Sequence, residues 1–275
     1  MLLAACAALP TVQPILADAR RTSDIAATAF RDGRHDDAIT GYHTALQLHR
    51  SIDNPEGIIR NLLNIAIVSD AAGNPANADA CLDAIDRYTN TLAATTPADL
   101  EKPAVRTLLV DTAIFRIERA LDAGQSMRAT SELARLDNIP GNPPRESAGR
   151  AANARARVAE SNRQYQAMRV HANTGISANR RNKDQPALAD AHRLAGRAAL
   201  ALDDASAANM HFSQALALDR KLARPNCVAA DLQGLARAAT LAGDPHAAAQ
   251  FTHRARTTSA SKPWLPHKNK KPKPP

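Results

Sequence analysis

Gly33-Arg34-His35-Asp36-Asp37-Ala38 opens a phrase that continues with Tyr42, Ala45, Leu46 and Leu48. The phrase returns 40 residues later as Gly73-Asn74-Pro75-Ala76-Asn77-Ala78, with Leu82 and Ile85 in the matching places. Asp203 opens another copy, with Ala208, Phe212, Ala215, Leu216 and Leu218. Gly243-Asp244-Pro245 opens one more, again 40 residues on, with Ala248 and Ala255. A fixed period of this size is the mark of stacked helical hairpins, because a single hairpin cannot bury its apolar face alone.

Composition agrees. The chain is 44% hydrophobic but only 3% aromatic, so its core must be built from small and aliphatic side chains. Alanine dominates, and it loses no side-chain entropy in a helix while letting helices approach closely. Alternating β-branched runs are absent, which predicts an all-α fold. In the first unit, about Arg20 to Arg50, Thr22, Ile25, Ala26 and Ala29 share one face of the first helix (helix A) at i, i+3, i+4 and i+7. Gly33 permits the turn. In the second helix (helix B), Ala38 and Ala45 let the pair close, and Tyr42 fills the space between repeats.

The order of turn glycine, Ala38, Tyr42, then Ala45-Leu46 resembles the tetratricopeptide repeat (TPR). Gly196, Asp203, Ala208, Phe212, Ala215 and Leu216 fit the same pattern, Gly196 being the small residue of helix A. The resemblance implies a right-handed α-solenoid of stacked antiparallel hairpins. The period of 40 looks like a long variant of the usual 34. Asp53-Asn54-Pro55-Glu56-Gly57 and Arg224-Pro225-Asn226 read as its loops. The bulky aromatic usual early in helix A is replaced by smaller residues.

Six hairpins are expected. The middle two, Val105–Leu121 with Met127–Leu136 and Ala148–Glu160 with Gln164–Asn179, carry the motif weakly. The run Asn138-Ile139-Pro140-Gly141-Asn142-Pro143-Pro144 interrupts them. The resulting division is a leader and tether over 1–18, hairpins over 19–137, a break over 138–147, hairpins over 148–258 and a disordered basic, Pro-rich tail over 259–275.

In TPR stacks the A helices line the concave face, and the resemblance implies that a peptide or protein partner binds there. Aligning by the turns puts Arg60 and Asn64 on that face in the second unit. Arg193 and Arg197 follow in a later one, then Gln233 and Arg237. Arg193 and Arg197 are i, i+4 neighbours. Arg237 is the 40-residue equivalent of Arg197. Three arginines together could hold a carboxylate through paired N–H donors, as in the carboxylate clamp of chaperone-binding TPR domains. Solvated helix-surface arginines are the plainer reading.

Charge is local. The net is +8, and Lys262–Pro275 holds five lysines and no acid. Arg145–Lys183 holds eight arginines and one lysine against two glutamates, which suits an anionic lipid or glycan surface or, more plainly, a solvated helical pair. No RNA-binding aromatic pattern or recognition helix occurs, so nucleic acid is not an expected partner. Trp264-Leu265 is the one sticky point of the tail and would suit a cap on the last hairpin.

Leu3-Ala4-Ala5-Cys6 matches the bacterial lipobox, in which the cysteine becomes the lipidated first residue. Only five residues precede Cys6, and a working signal needs a charged start and an apolar run. Two readings stand: a start codon placed too late, or a chance match in an Ala/Leu-rich stretch. The first makes the protein an outer-membrane lipoprotein facing the periplasm. The second makes it a cytoplasmic TPR adaptor. Cys81 and Cys227 read as small buried hydrophobes. No CxxC, HExxH, Gly-rich phosphate loop or GxSxG occurs, so no catalytic residue, metal or cofactor is expected.

Overall fold

In the computed structural model, residues 12–141 and 143–260 are described. Cys6 and the tail beyond 260, with Trp264, lie outside them. The fold is all-α and TPR-like: among the described residues there are thirteen helices and no strand. The chain forms two compact units, Met1–Ala154 and Arg155–Pro275. Their division falls inside a helix, beyond the Pro/Gly break where the sequence suggests it.

The first unit holds α1 (Val12–Arg31), α2 (His35–Ser51), α3 (Pro55–Ala71), α4 (Pro75–Thr95), α5 (Pro97–Glu101), α6 (Pro103–Asp122) and α7 (Ser126–Asp137). The dividing helix is α8 (Arg145–Ser161). The second unit continues with α9 (Tyr165–Asn182), α10 (Gln185–Ala201), α11 (Ala205–Lys221), α12 (Pro225–Leu241) and α13 (Pro245–Ala260). Within each unit successive helices pack antiparallel, and next-but-one contacts (α3 on α6, α10 on α12) join the hairpins into a stack.

The 40-residue period resolves into two equal halves. Left-handed turn residues stand at Gly33, Asp53 and Gly73, and again at Arg163, Lys183, Asp203, Ala223 and Gly243, 20 residues apart in each run. Each turn is built alike. At Ala223, its N–H donates to the Arg220 carbonyl and the Arg224 N–H reaches back to Asp219, the two bonds of a Schellman motif. The residue after each left-handed position is at once the end of one helix and the N-cap of the next. Where it is Asn54, Asn74, Asp184, Asp204 or Asp244, its side chain accepts the backbone N–H three residues on.

These turns are tighter than the sequence suggests. Pro55, Glu56 and Gly57, and likewise Pro225 and Asn226, already lie in the first turn of a helix, where proline's missing N–H costs nothing. Four of the left-handed residues, Asp53, Arg163, Lys183 and Ala223, are not the glycines expected at such turns. For the same reason as at Pro55, Pro14 is tolerated in the first turn of α1, so residues from Val12 are helical and not a tether. Arg145, Ser147 and residues 259–260 are helical as well.

Five residues past the A-to-B turn, Ala38, Ala78, Ala129 and Ala208 are fully buried, with Met168 in that place on α9. Tyr42 and Phe212 fill the inter-repeat space as expected. Gly196 and Gly234 flank Phe212: a Cβ at either would stand 2.9 or 2.4 Å from its ring. One expectation fails. Ile25, read as part of the buried face of α1, is 64% exposed, because the buried stripe of α1 runs through Ala19, Ala26 and Ala29.

One stretch departs from the period. Gly73 and the next A-to-B turn, Gly124, are 51 residues apart. The extra length goes into α4, 21 residues long against 17 for α2, and into the short α5 between Pro97 and the capping Lys102.

Candidate partner-binding face

Counting back from each turn places the A-helix residues in columns. Ten residues before the turn lie Ser23 on α1 and Arg193 on α10. Both are spoken for within the fold. Arg193 Nε donates to Asp231 on α12 at 2.7 Å and Nη1 to Asp190 at 2.7 Å, while Nη2 meets Asp219 on α11. Arg224 joins the cluster through Asp190 at 3.2 Å and Asp219 at 3.1 Å. Two guanidinium groups thus face three carboxylates, and Asp219 and Asp231 are wholly buried. Burial works against the charge on Arg193, but Asp231 and Asp190 outweigh it and hold the proton more firmly than on a free arginine. Burial, with Asp219 beside it, pushes Asp231 up to about 7, so a proton there evens the balance. Arg193 is therefore a strut of the stack and does not offer its donors to a partner.

The same node exists in the first unit without charge. Ser23 Oγ donates to Asn61 at 3.0 Å, and Asn61 in turn donates to the Gly57 carbonyl at 2.8 Å. Ser23 and Asn61 stand 38 residues apart, as do Arg193 and Asp231. His49 takes the place of Asp219, its Nδ1 accepting from Asn54 at 3.0 Å. Burial holds His49 below the usual histidine range.

Six residues before the turn lies a column with different chemistry: Arg157, Arg197 and Arg237, 40 residues apart on α8, α10 and α12 of the second unit. Arg197 pairs with Glu160 at 2.9 Å, yet its Nε is buried without a hydrogen-bond partner. Burial, aided by Arg157 and Arg193 and opposed by Glu160, holds Arg197 below the ordinary arginine range. Arg237 is exposed, and Gln233 one turn before it is also exposed. In the first unit Ala27 and Ile67 occupy this column on α1 and α3, packed on apolar core. Asn64 is half-buried there. Arg60 is exposed and tied to Glu56 one turn back.

The structure thus sets Arg197 and Arg237 in one register and takes Arg193 out of it. Arg157 was passed over by sequence reasoning, although its spacing of 40 from Arg197 was there to be counted. In the basic segment, Arg150 pairs with Asp111 at 3.0 Å, and Arg145, Arg155 and Arg157 also have partners. Much of its charge is absorbed by packing. Cys81 and Cys227 are free thiols, and burial pushes Cys81 up. Among the described residues no group of three or more His, Cys, Asp or Glu could hold a metal, and no helix is long and apolar enough to cross a membrane.

No protein-family model matches the chain, and no curated protein matches it significantly. Solved structures do. BtubC (BKLC) from P. vanneervenii superposes with a TM-score of 0.59 at 16% identity, covering 92% of each chain. A variant of the kinesin light chain nearly identical TPR-like repeats from Podosopora anserina covers 88% of this chain and 94% of its own, at 14% identity and a TM-score of 0.37. The first shares the architecture, and the second is too loose a match to carry more.

Proposed function

We propose that the chain is a non-catalytic interaction scaffold whose second unit holds an acidic segment of a partner protein against α8, α10 and α12. The observation that carries this reading is the row Arg157, Arg197 and Arg237, in which the buried Nε–H of Arg197 lacks an acceptor. A buried donor left unmade is costly, and an incoming carboxylate would satisfy it with a charge-assisted bond. The test is fluorescence anisotropy with a labelled glutamate-rich peptide against the wild type and the Arg197→Ala, Arg237→Ala double variant. A loss of about tenfold or more, steeper at low salt, supports the reading. Equal binding by both proteins refutes it. Arg193→Ala is unsuited to this test, because it removes a strut of the fold.

The lipobox match at Leu3-Ala4-Ala5-Cys6 favours a place for this scaffold on the periplasmic face of the outer membrane, in envelope assembly. Ala7, rather than Asp, after the cysteine favours the outer over the inner membrane. Metabolic palmitate labelling that disappears in Cys6→Ser supports this, and absence of label from the wild type points to the cytoplasmic adaptor instead.

A further inference from the structure

The extra length between α4 and α6 opens a cavity of about 240 Å³ in the first unit. Its apolar walls are Ile85, Leu100, Leu109, Ala113 and Ile139, and its polar edge is Asp86, Thr112, Arg116, Glu132 and Arg135. The two arginines are largely committed. Arg116 pairs with Asp86 at 2.9 Å and donates to the Leu82 carbonyl, and Arg135 reaches Asp86 at 3.4 Å. Thr112 spends its hydroxyl proton on the Leu108 carbonyl.

Glu132 is left at the end of this chain of charges. It is 7% exposed, its Oε2 receives no hydrogen bond, and its contact with Arg135 Nε is 3.7 Å long. A buried carboxylate oxygen without a donor is among the costliest groups a fold can keep. This one lines a cavity with room for about eight waters' worth of liquid volume. We propose that the cavity is a small-molecule site for a primary ammonium group carried on an apolar body. The ammonium would donate to Glu132 Oε2, and the body would lie against Leu100, Leu109 and Ile139. A carboxylate ligand is disfavoured, because Glu132 and Asp86 meet it first and both guanidinium groups are engaged. This inference is independent of the arginine row on the second unit.

The full chain should be titrated with 4-phenylbutylammonium, 4-phenylbutanol and 4-phenylbutyrate, with amide chemical shifts as the readout. The ammonium compound should saturate shifts at Thr112, Ala113 and Glu132, with the alcohol and the acid at least about tenfold weaker. Glu132→Gln should lower the affinity for the ammonium to that for the alcohol and leave the alcohol unchanged. Ala93→Trp, which fills the mouth without touching Glu132, should abolish binding of all three. Equal binding of the acid, an unchanged affinity in Glu132→Gln, or no saturable shift up to about 10 mM, the weak end of specific affinity, would overturn the assignment.

Discussion

The ring of Phe212 on α11 occupies the space in which a side chain on residue 234 of α12 would begin. A Cβ at Gly234 would lie 2.4 Å from the ring, and one at Gly196 on α10 would lie 2.9 Å away. One aromatic residue therefore sets how closely two hairpins can stack. Gly234→Ala should cost about 1–3 kcal/mol, the range for overpacking. Phe212→Leu, itself destabilising, should relieve most of that cost in the double variant. Urea unfolding of the four-member cycle measures both, and simple additivity would show that the two positions do not compete for space.

The turns make the opposite case. A Cβ at Gly33, Gly73 or Gly243 would meet nothing within 4 Å, so these glycines are required by their positive φ alone. Gly33→Ala should cost about 1 kcal/mol by conformation. Ala223, at φ 52, bears that strain already. Ala223→Gly should raise stability by up to about 1 kcal/mol, read as a shift of the urea midpoint without a change in slope.

The buried charge cluster gives the second unit a pH dependence. Asp231 is raised to about 7 in the fold, so its contribution is full below its unfolded value and is lost as pH rises to about 7. His192 is pushed down to about 4 by burial, with His211 at 3.2 Å and Arg180 adding to it. Its contribution runs the other way, lost as pH falls from its unfolded value toward about 4. The two oppose each other through mildly acidic pH. Asp231→Asn removes one of them while leaving Arg193 its bonds to Asp190 and Asp219. The melting temperature of the variant relative to wild type should climb between pH 4 and pH 7 and then level off. A difference that stays flat across that range would place the proton elsewhere.

The dual-purpose caps offer a milder test. Asp204→Ala removes the acceptor for the Ala207 N–H and should cost about 1 kcal/mol. Asp203→Ala leaves that bond in place and should cost less, which thermal melts of the two variants would separate.

The hairpin order was legible because alanine and aromatic positions recur at helical spacing, and spacing alone fixes which faces meet. Ile25 was misplaced because an apolar residue one position off the stripe still fits an i, i+3 pattern. The left-handed roles of Arg163, Lys183 and Ala223 left no trace, since no local chemistry distinguishes them from helical residues. Arg193 was found and given the wrong task. Its partners Asp219 and Asp231 come from two other helices, 26 and 38 residues away, and only stacking brings them together. The cavity beside Glu132 was invisible for a related reason: it exists because α4 runs long, and length alone does not show what a helix leaves uncovered.

The shared residue at each turn has a further consequence. Since one position both closes a helix and opens the next, the connection has no slack. One added residue would swing everything downstream by about 100° around the helix axis, sending the buried stripe into water. Chain length is thus as constrained as chain chemistry throughout the 20-residue runs. Slack exists only at Thr96–Lys102 and around Asn138–Pro144, where the rhythm is already broken. A split reporter, a recognition tag or a spliced-in loop should be accommodated at those two points and rejected at every regular turn.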